Sequence, residues 1–236
     1  MSASASIIDG SFENQAVFQN LPSYQTGPSG ELWGRSWNAG WSAEGLASSL
    51  RYLAPGASWS GSGQICRSED FATGWKRART GVVFGYIEND SSISQTFTVT
   101  ETGTYDLSWF DANRSSWRGD TWFGRQNNYR VTVADALGNI QTLGNYTSEV
   151  FGGSEANSQA NIGDARWDLE NRQGWFSRNV SGFTLTAGVS YTLSFTSLSD
   201  DGRATLLDDI SLTIVPAPGA LALLGAAAAV GSRRRR

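Results

Sequence analysis

Apolar and polar residues alternate through the middle of the chain. From Ile93 to Val99 every second residue is apolar or is Gln95, with Ser or Thr between them. Beyond a turn at 101–103, the run 105–110 repeats the alternation with Tyr, Leu and Trp on one parity. A period of two places successive side chains on opposite faces of a β-strand. The two runs are therefore predicted to be strands, joined as a hairpin.

The same alternation recurs further along the chain, at 129–133, 183–195 and 206–214. No segment of the body shows a long apolar stripe with a helical period. Many short strands separated by Gly turns are typical of a sandwich. We expect an all-β jelly-roll β-sandwich over residues 7–214. Two polar, Trp-bearing stretches, 113–128 and 145–179, are predicted to be long loops.

Composition narrows the possible functions. The net charge is −4 and the only lysine is Lys76, so nucleic-acid binding has no electrostatic support. The chain has no His, which removes the commonest general base and metal ligand. The single cysteine, Cys66, cannot form an internal disulfide and is predicted to be a small buried apolar residue. No catalytic centre is expected.

The C-terminal region, 215–236, differs from the body. A Pro-containing stretch leads into an uncharged apolar run at 220–232, which is followed by four arginines. The run is shorter than the roughly 20 residues of a typical membrane-spanning helix, and we expect a short apolar helix. Arginines after an apolar segment would stay on the cytoplasmic side, which places the body outside the membrane.

This region resembles the PEP-CTERM sorting signal of Gram-negative and related bacteria. The sorting motif corresponds to Val215, Pro216, Ala217 and Pro218, with Ala217 where that family usually has Glu. The resemblance implies recognition by an exosortase, a transient inner-membrane anchor, and a final location at the cell surface or in the extracellular matrix. The alternative is a plain tail anchor. Residues 1–6 lack a signal-peptide core but are small, like the end of one, and are predicted to be a remnant of an export region or disordered.

Carboxylates near both ends of the body form a second pattern. In the last predicted strand, Asp208 shares the parity of Ile210 and Leu212, so it is expected to face the core. A buried carboxylate is costly unless it is paired or bound to a cation. Oxygen ligands of this kind suit Ca²⁺. The alternative is a hydrogen-bonded carboxylate pair without a metal.

The same two regions resemble the galactose-binding-like jelly rolls found among carbohydrate-binding modules. The resemblance rests on Gly10, Phe12 and Glu13 near the start and on Asp208, Asp209 and Ile210 near the end. Many such domains share a structural calcium between their two ends. The resemblance implies that Glu13 and Asp208 would hold it, with Asp9 and Asp209 as further candidates.

Ten tryptophans are many for 236 residues. Trp109 has strand parity and is predicted to be in the core. Aromatic faces in loops can stack on the apolar faces of sugar rings. The glycan-binding candidates are Trp37, Trp41, Trp117, Trp122 and Trp175. The predicted partner is a neutral extracellular polysaccharide, because the body is acidic. The alternatives are a purely structural envelope or matrix protein without a specific ligand, and a glycan hydrolase.

Overall fold

The computed structural model describes residues 7–13, 25–26, 32–33, 51–52, 58–67, 78–81, 83–113, 126–148, 175–200 and 202–216. All regular secondary structure in these ranges is β. The strands are β1 Gln25–Thr26, β2 Leu32–Trp33, β3 Arg51–Tyr52, β4 Gln64–Arg67, β5 Val83–Glu88, β6 Ser92–Thr98, β7 Gly103–Asn113, β8 Asn128–Asp135, β9 Ile140–Thr147, β10 Phe176–Leu185, β11 Ser190–Ser197 and β12 Ala204–Ile214.

Two antiparallel sheets pack face to face. The six-stranded sheet has the order β10-β7-β12-β5-β4-β3, and the four-stranded sheet has the order β6-β11-β8-β9. Strands β1 and β2 form a separate pair. From β5 onward the chain passes repeatedly from one sheet to the other, as in a jelly roll. The predicted all-β sandwich is therefore confirmed, whereas the predicted C-terminal helix lies outside the described residues.

The predicted hairpin of 93–99 with 105–110 is wrong. Strand β6 pairs with β11 in the four-stranded sheet, whereas β7 pairs with β10 and β12 in the six-stranded sheet. The turn between β10 and β11 crosses between the sheets in the same way. Alternation identifies the buried face of a strand, but it does not identify the strand that lies beside it, because strands pair through backbone groups that every residue carries.

The main core fills the space between the sheets, where Trp109, Tyr129 and Phe195 are completely buried. A second cluster covers the other face of the six-stranded sheet and includes Phe84, Tyr86, Cys66, Ala112, Leu206 and Trp175. Burial of Cys66 as an apolar residue is thus confirmed. The outer face of the four-stranded sheet is instead polar, with exposed or half-exposed Ser and Thr such as Thr96, Thr98 and Thr192.

A bulge in β12 places Asp208 on the opposite face of the sheet from the one predicted. The register of β12 against β7 shifts between Asp208 and Ser211, where Asp209 has a left-handed backbone (φ 51°). Asp208 pairs with Phe110 on the outer face, whereas Ile210 and Leu212 point into the main core. Asp208 is nevertheless completely buried. One extra residue at a bulge exchanges the two faces for every following residue.

The ends of the strands define two poles of the sandwich. At one end lie turn 89–91 and residues 198–200, together with the points where the connections 114–127 and 148–175 leave and rejoin the strands. We call this end the loop pole. At the other end lie turns 99–102, 136–139 and 186–189, together with Val215. We call it the turn pole. The second predicted loop is too long, because β9 and β10 extend into 145–179.

Candidate functional site

A buried polar cluster joins the strand ends at the loop pole. The Asn127 side-chain amide donates to Ser197 Oγ (3.2 Å) and to Thr205 Oγ1 (3.0 Å), and these groups are all buried. The Asn127 carbonyl accepts from the backbone N–H of Ser148 (2.8 Å). Asn127 is the last residue of the first long connection and Ser148 is the first residue of the second. The cluster therefore fixes one end of each connection to the same point of the scaffold.

A second cluster lies beside the first, deeper between the sheets. The Asp111 carboxylate is completely buried, and its Oδ2 accepts from Tyr129 Oη (2.6 Å) and Arg178 Nε (3.0 Å). The Arg178 guanidinium also donates through Nη2 to the Thr147 carbonyl (2.8 Å). Asp111 and Tyr129 lie close to the two ends of connection 114–127. Thr147 and Arg178 lie close to the two ends of connection 148–175.

Tyr129 is held in its neutral form by this environment. Burial raises the pKa of the Tyr129 hydroxyl far above its usual range, and the charge of Asp111 raises it further. The neutral phenol can donate to Asp111 while it accepts from Trp109 Nε1 (2.9 Å). The indole of Trp109 packs edge-on against Tyr146, with ring centroids 4.9 Å apart. The cluster is thus part of the core, and Trp109 is a core residue as predicted.

The aromatic candidates fall into two groups. Trp37, Trp41, Trp117 and Trp122 lie outside the described residues. Trp175 is only 9% exposed and packs edge-on against Phe84, with ring centroids 5.9 Å apart. Burial of this indole favours an anchoring role, in which it fixes the end of connection 148–175 against the six-stranded sheet.

The segment 7–13 packs directly on the bulge of β12. The backbone N–H of Ile210 donates to the Gly10 carbonyl (3.0 Å). A Cβ at Gly10 would lie 1.9 Å from the Ile210 carbonyl oxygen, so only glycine fits this approach. Asp9 and Phe12 adopt left-handed backbone conformations (φ 54° and 61°), which are uncommon outside glycine. The structure thus brings the two ends of the described body together, as the sequence resemblance implies.

The carboxylate of Asp208 is the centre of this junction. Its Oδ2 accepts from the backbone N–H groups of Arg79 (2.8 Å) and Thr80 (3.3 Å), and its Oδ1 accepts from that of Asp209 (2.8 Å). Burial raises the pKa of Asp208 to about 8, and the nearby charge of Asp209 adds to the shift, against the three backbone donors. Asp209 in turn forms an ion pair with the Arg79 guanidinium (2.7 Å).

Glu13 and Asp9 also have protein partners. Glu13 Oε1 accepts from the backbone N–H of Val83 (2.8 Å). The Asp9 carbonyl accepts from the indole N–H of Trp59 (2.9 Å), and its carboxylate contacts Ser58 Oγ (3.4 Å). Glu13 and Asp208 therefore accept hydrogen bonds from backbone N–H groups that are close in sequence, at residues 79, 80 and 83.

The junction offers little of what a calcium ion requires. The described residues include all four candidate carboxylates, and among them no group of three or more acidic or cysteine side chains could hold a metal ion. N–H groups and a guanidinium, which carry partial or full positive charge, face Asp208 and Asp209. Calcium prefers six to eight oxygen ligands. These contacts favour the alternative, a set of hydrogen-bonded carboxylates without a metal.

Two arginines that sequence reasoning missed organise these clusters. Arg178 lies opposite Trp109 in the register of β10 and β7, and so on the inward face. Arg178 lies two residues before the half-buried Val180, so both side chains face the same side of the strand. That spacing is the signal that could have identified Arg178. Arg79 places its guanidinium 3.5 Å from the ring centroid of Phe110 and also pairs with Asp209. Nothing in the residues around position 79 indicates that contact.

Known proteins resemble this chain in fold and not in sequence. No protein-family model matches this chain, and no curated protein sequence matches it. Among solved structures, it is similar to the carbohydrate-binding module TmCBM61 in complex with β-1,4-galactotriose, at 13% identity and a TM-score of 0.40, over 70% of this chain and 91% of that one.

Two further similar structures are carbohydrate-binding modules of enzymes. The CBM22-1 xylan-binding domain of Paenibacillus barcinonensis Xyn10C is 15% identical, with a TM-score of 0.41 over 73% of this chain and 95% of that one. The CBM6cm-2 module of Cellvibrio mixtus lichenase 5A, in complex with cellotriose, is 16% identical, with a TM-score of 0.37 over 66% and 91%.

Within the described ranges, no helix is both long and apolar enough to cross a membrane.

Proposed function

We propose that this chain is a non-catalytic, exported surface or matrix protein that binds a neutral polysaccharide through the tryptophans of its long connections. The observation that supports this most is the buried anchoring of both connections at the loop pole, through Asn127 and through Arg178. Binding residues concentrate on loops that a rigid scaffold positions. Connection 114–127 contains Trp117 and Trp122, flanked by polar and charged residues that can hydrogen-bond to sugar hydroxyls.

Export and sorting form the second part of the proposal. The motif at 215–218, the apolar run at 220–232 and the terminal arginines follow one another in the order of a PEP-CTERM signal. An exosortase would recognise this region while it anchors the protein in the inner membrane. Expression of the chain with a signal peptide, in cells with and without an exosortase, tests this part. Equal processing of the tail in both strains would contradict it.

The binding proposal is tested by isothermal titration calorimetry against a panel of neutral polysaccharides. We expect dissociation constants on the order of 10 µM to 1 mM. Replacing both Trp117 and Trp122 by Ala should weaken binding at least about tenfold, a loss of about 1.4 kcal/mol. Leu137→Ala, at the turn pole and far from where both long connections begin and end, is the control and should bind normally. Unchanged binding by the double variant would place the site elsewhere.

The two alternatives have their own readouts. A structural protein without a specific ligand would bind no member of the panel. A hydrolase would release reducing ends from the same polysaccharides.

Calcium at the junction of 7–13 with β12 remains a separate prediction of the sequence resemblance. Since the contacts of Asp208 and Asp209 favour the metal-free alternative, we expect the same melting temperature in calcium and in chelator. A ligand that binds only the folded state raises that temperature. A rise with calcium that Asp208→Asn abolishes would establish the metal site instead.

A further inference from the structure

The turn pole carries most of the exposed apolar side chains. Five large hydrophobic residues of the described part of the chain are exposed. Three of them lie at the turn pole, namely Leu137 (89% exposed), Ile140 (70%) and Val215 (39%). Single exposed apolar residues are normal on a protein surface, but their concentration at one end of the sandwich requires a separate explanation.

The turn that presents Leu137 is held in one conformation. The Asp135 carboxylate accepts from the backbone N–H groups of Leu137 and Asn139 (both 2.9 Å) and from the Asn139 amide (2.7 Å). Gly138, with φ 85°, donates its N–H to the Asp135 carbonyl (3.0 Å). These hydrogen bonds, those from Asn139 first, lower the pKa of Asp135. The only carboxylate of the turn is thus engaged by the backbone, and the tip presents uncharged residues.

The chain leaves the sandwich at this same pole. Strand β12 ends at Ile214, and the backbone N–H of Val215 donates to the Thr104 carbonyl (2.8 Å) near the start of β7. The following residues lead into the apolar run at 220–232 and then into arginines. An apolar segment that enters a bilayer from Val215 therefore brings the turn pole, rather than the loop pole, towards the lipid.

We propose that the turn pole is the membrane-facing surface of the anchored protein, where Leu137 and Ile140 contact the lipid interface. This inference rests on the proposed anchoring by the tail. Two apolar side chains bind a bilayer weakly by themselves, but a tail in the membrane keeps them at high effective concentration beside it. The loop pole, where both long connections begin and end, then points away from the cell.

The lipid surface that fits this pole is zwitterionic. Its turns, 99–102, 136–139 and 186–189, contain no Lys or Arg, and Glu101 is exposed. Recognition of anionic lipids requires clustered basic residues. The contact is therefore apolar, and it should depend little on ionic strength.

The test uses the full chain with one cysteine added at a time, and the added cysteine carries an environment-sensitive nitrobenzoxadiazole dye. Leu137→Cys reports on the turn pole, and Asp200→Cys, which is exposed at the loop pole, is the matched control. The unsubstituted chain measures any labelling of buried Cys66. The variants are bound to phosphatidylcholine vesicles with or without a lipid-borne quencher. We expect dye at position 137 to lose roughly half of its emission to the quencher, as at an interfacial depth, and dye at position 200 to lose none.

Two outcomes would overturn the inference. If the chain cosediments with vesicles but the dye at 137 is quenched no more than the dye at 200, the tail anchors the protein and the turn pole does not face the membrane. If the chain does not cosediment, anchoring itself fails, and the inference fails with it. Polysaccharide binding is measured separately on the same chain, so its outcome is distinguishable from both.

Discussion

The two poles of the sandwich differ in what holds them together. At the loop pole, the buried side chains of Asn127 and Asp111 and the half-buried side chain of Arg178 hydrogen-bond between the two sheets, next to the residues where the long connections begin and end. At the turn pole, the turns are short and close by local contacts, such as those of Asp135 with its own neighbours. Buried polar groups thus fix the ends of the long connections at the loop pole, whereas local hydrogen bonds close the turns at the turn pole.

This difference agrees with the proposal that the loop pole, rather than the turn pole, binds polysaccharide. Buried polar groups cost free energy unless every hydrogen bond is made, so a cluster of them at the base of long connections suggests that the geometry of those connections matters. The short turns at the other pole are closed by local hydrogen bonds and need no buried polar cluster beneath them. Because the poles use different interactions, substitutions should affect them to very different extents.

The largest effect is expected for Asp111→Ala. The substitution leaves the buried Tyr129 hydroxyl and the Arg178 guanidinium without their shared acceptor, and removal of one partner of a buried ion pair costs about 3–5 kcal/mol. Urea unfolding measures the loss. Asp106→Ala on the same strand, where the half-buried carboxylate accepts a long bond from the backbone N–H of Gly182 (3.3 Å), is the control and should cost far less. Equal losses would mean that the Asp111 cluster has no special role.

The next effect is expected for Asn127→Ala. Its buried amide reaches Ser197 and Thr205, and loss of these bonds should lower the free energy of unfolding by about 2 kcal/mol. If the cluster positions the connections, polysaccharide affinity should fall in the same variant at temperatures where it remains folded. The neighbouring Asn128→Ala, at an exposed position, is the control for both measurements. Normal affinity in the Asn127 variant would show that the cluster stabilises the fold but does not position the connections for binding.

The sequence predicts the strands well and the clusters poorly. Alternation identifies β6, β7 and β11, because a half-buried strand must keep a period of two. It fails at β12, where the positive φ of Asp209 creates a bulge that changes the face of Asp208. It also misses Arg178 and its partner Asp111, since they come from strands that are distant in sequence. Long-range pairing depends on the packing of the sheets, which no local pattern contains.

A smaller effect is expected for Asp135→Ala at the turn pole. The hydrogen bonds of the exposed carboxylate lower its pKa, so its stabilisation is present above the ordinary aspartate pKa, near 4, and is lost as the pH falls through the lowered value. The melting temperature of the variant should be slightly below that of the parent at neutral pH. The difference should shrink in acid. A difference that grows in acid would contradict this assignment.

The smallest effect on stability is expected for Leu137→Ser. Its side chain is almost fully exposed, so the free energy of unfolding should change by no more than about 0.5 kcal/mol. Thermal unfolding of the domain in the absence of lipid measures this. The comparison variant is Leu107→Ser, the same substitution at a completely buried position. It should lower the free energy of unfolding strongly. A large loss in the Leu137 variant would show that the tip packs against another part of the chain.

The position of β12 has a mechanical consequence. This strand lies between β7 and β5 and hydrogen-bonds to both, and its last residue leads out of the sandwich at the turn pole. If the tail is fixed in a membrane and a polymer pulls on the loop pole, tension runs parallel to β12. The strand is then loaded in shear, so many ladder hydrogen bonds must break together instead of one after another. A tether attached to a central strand in this way resists extension better than one attached to an edge strand that can be peeled away.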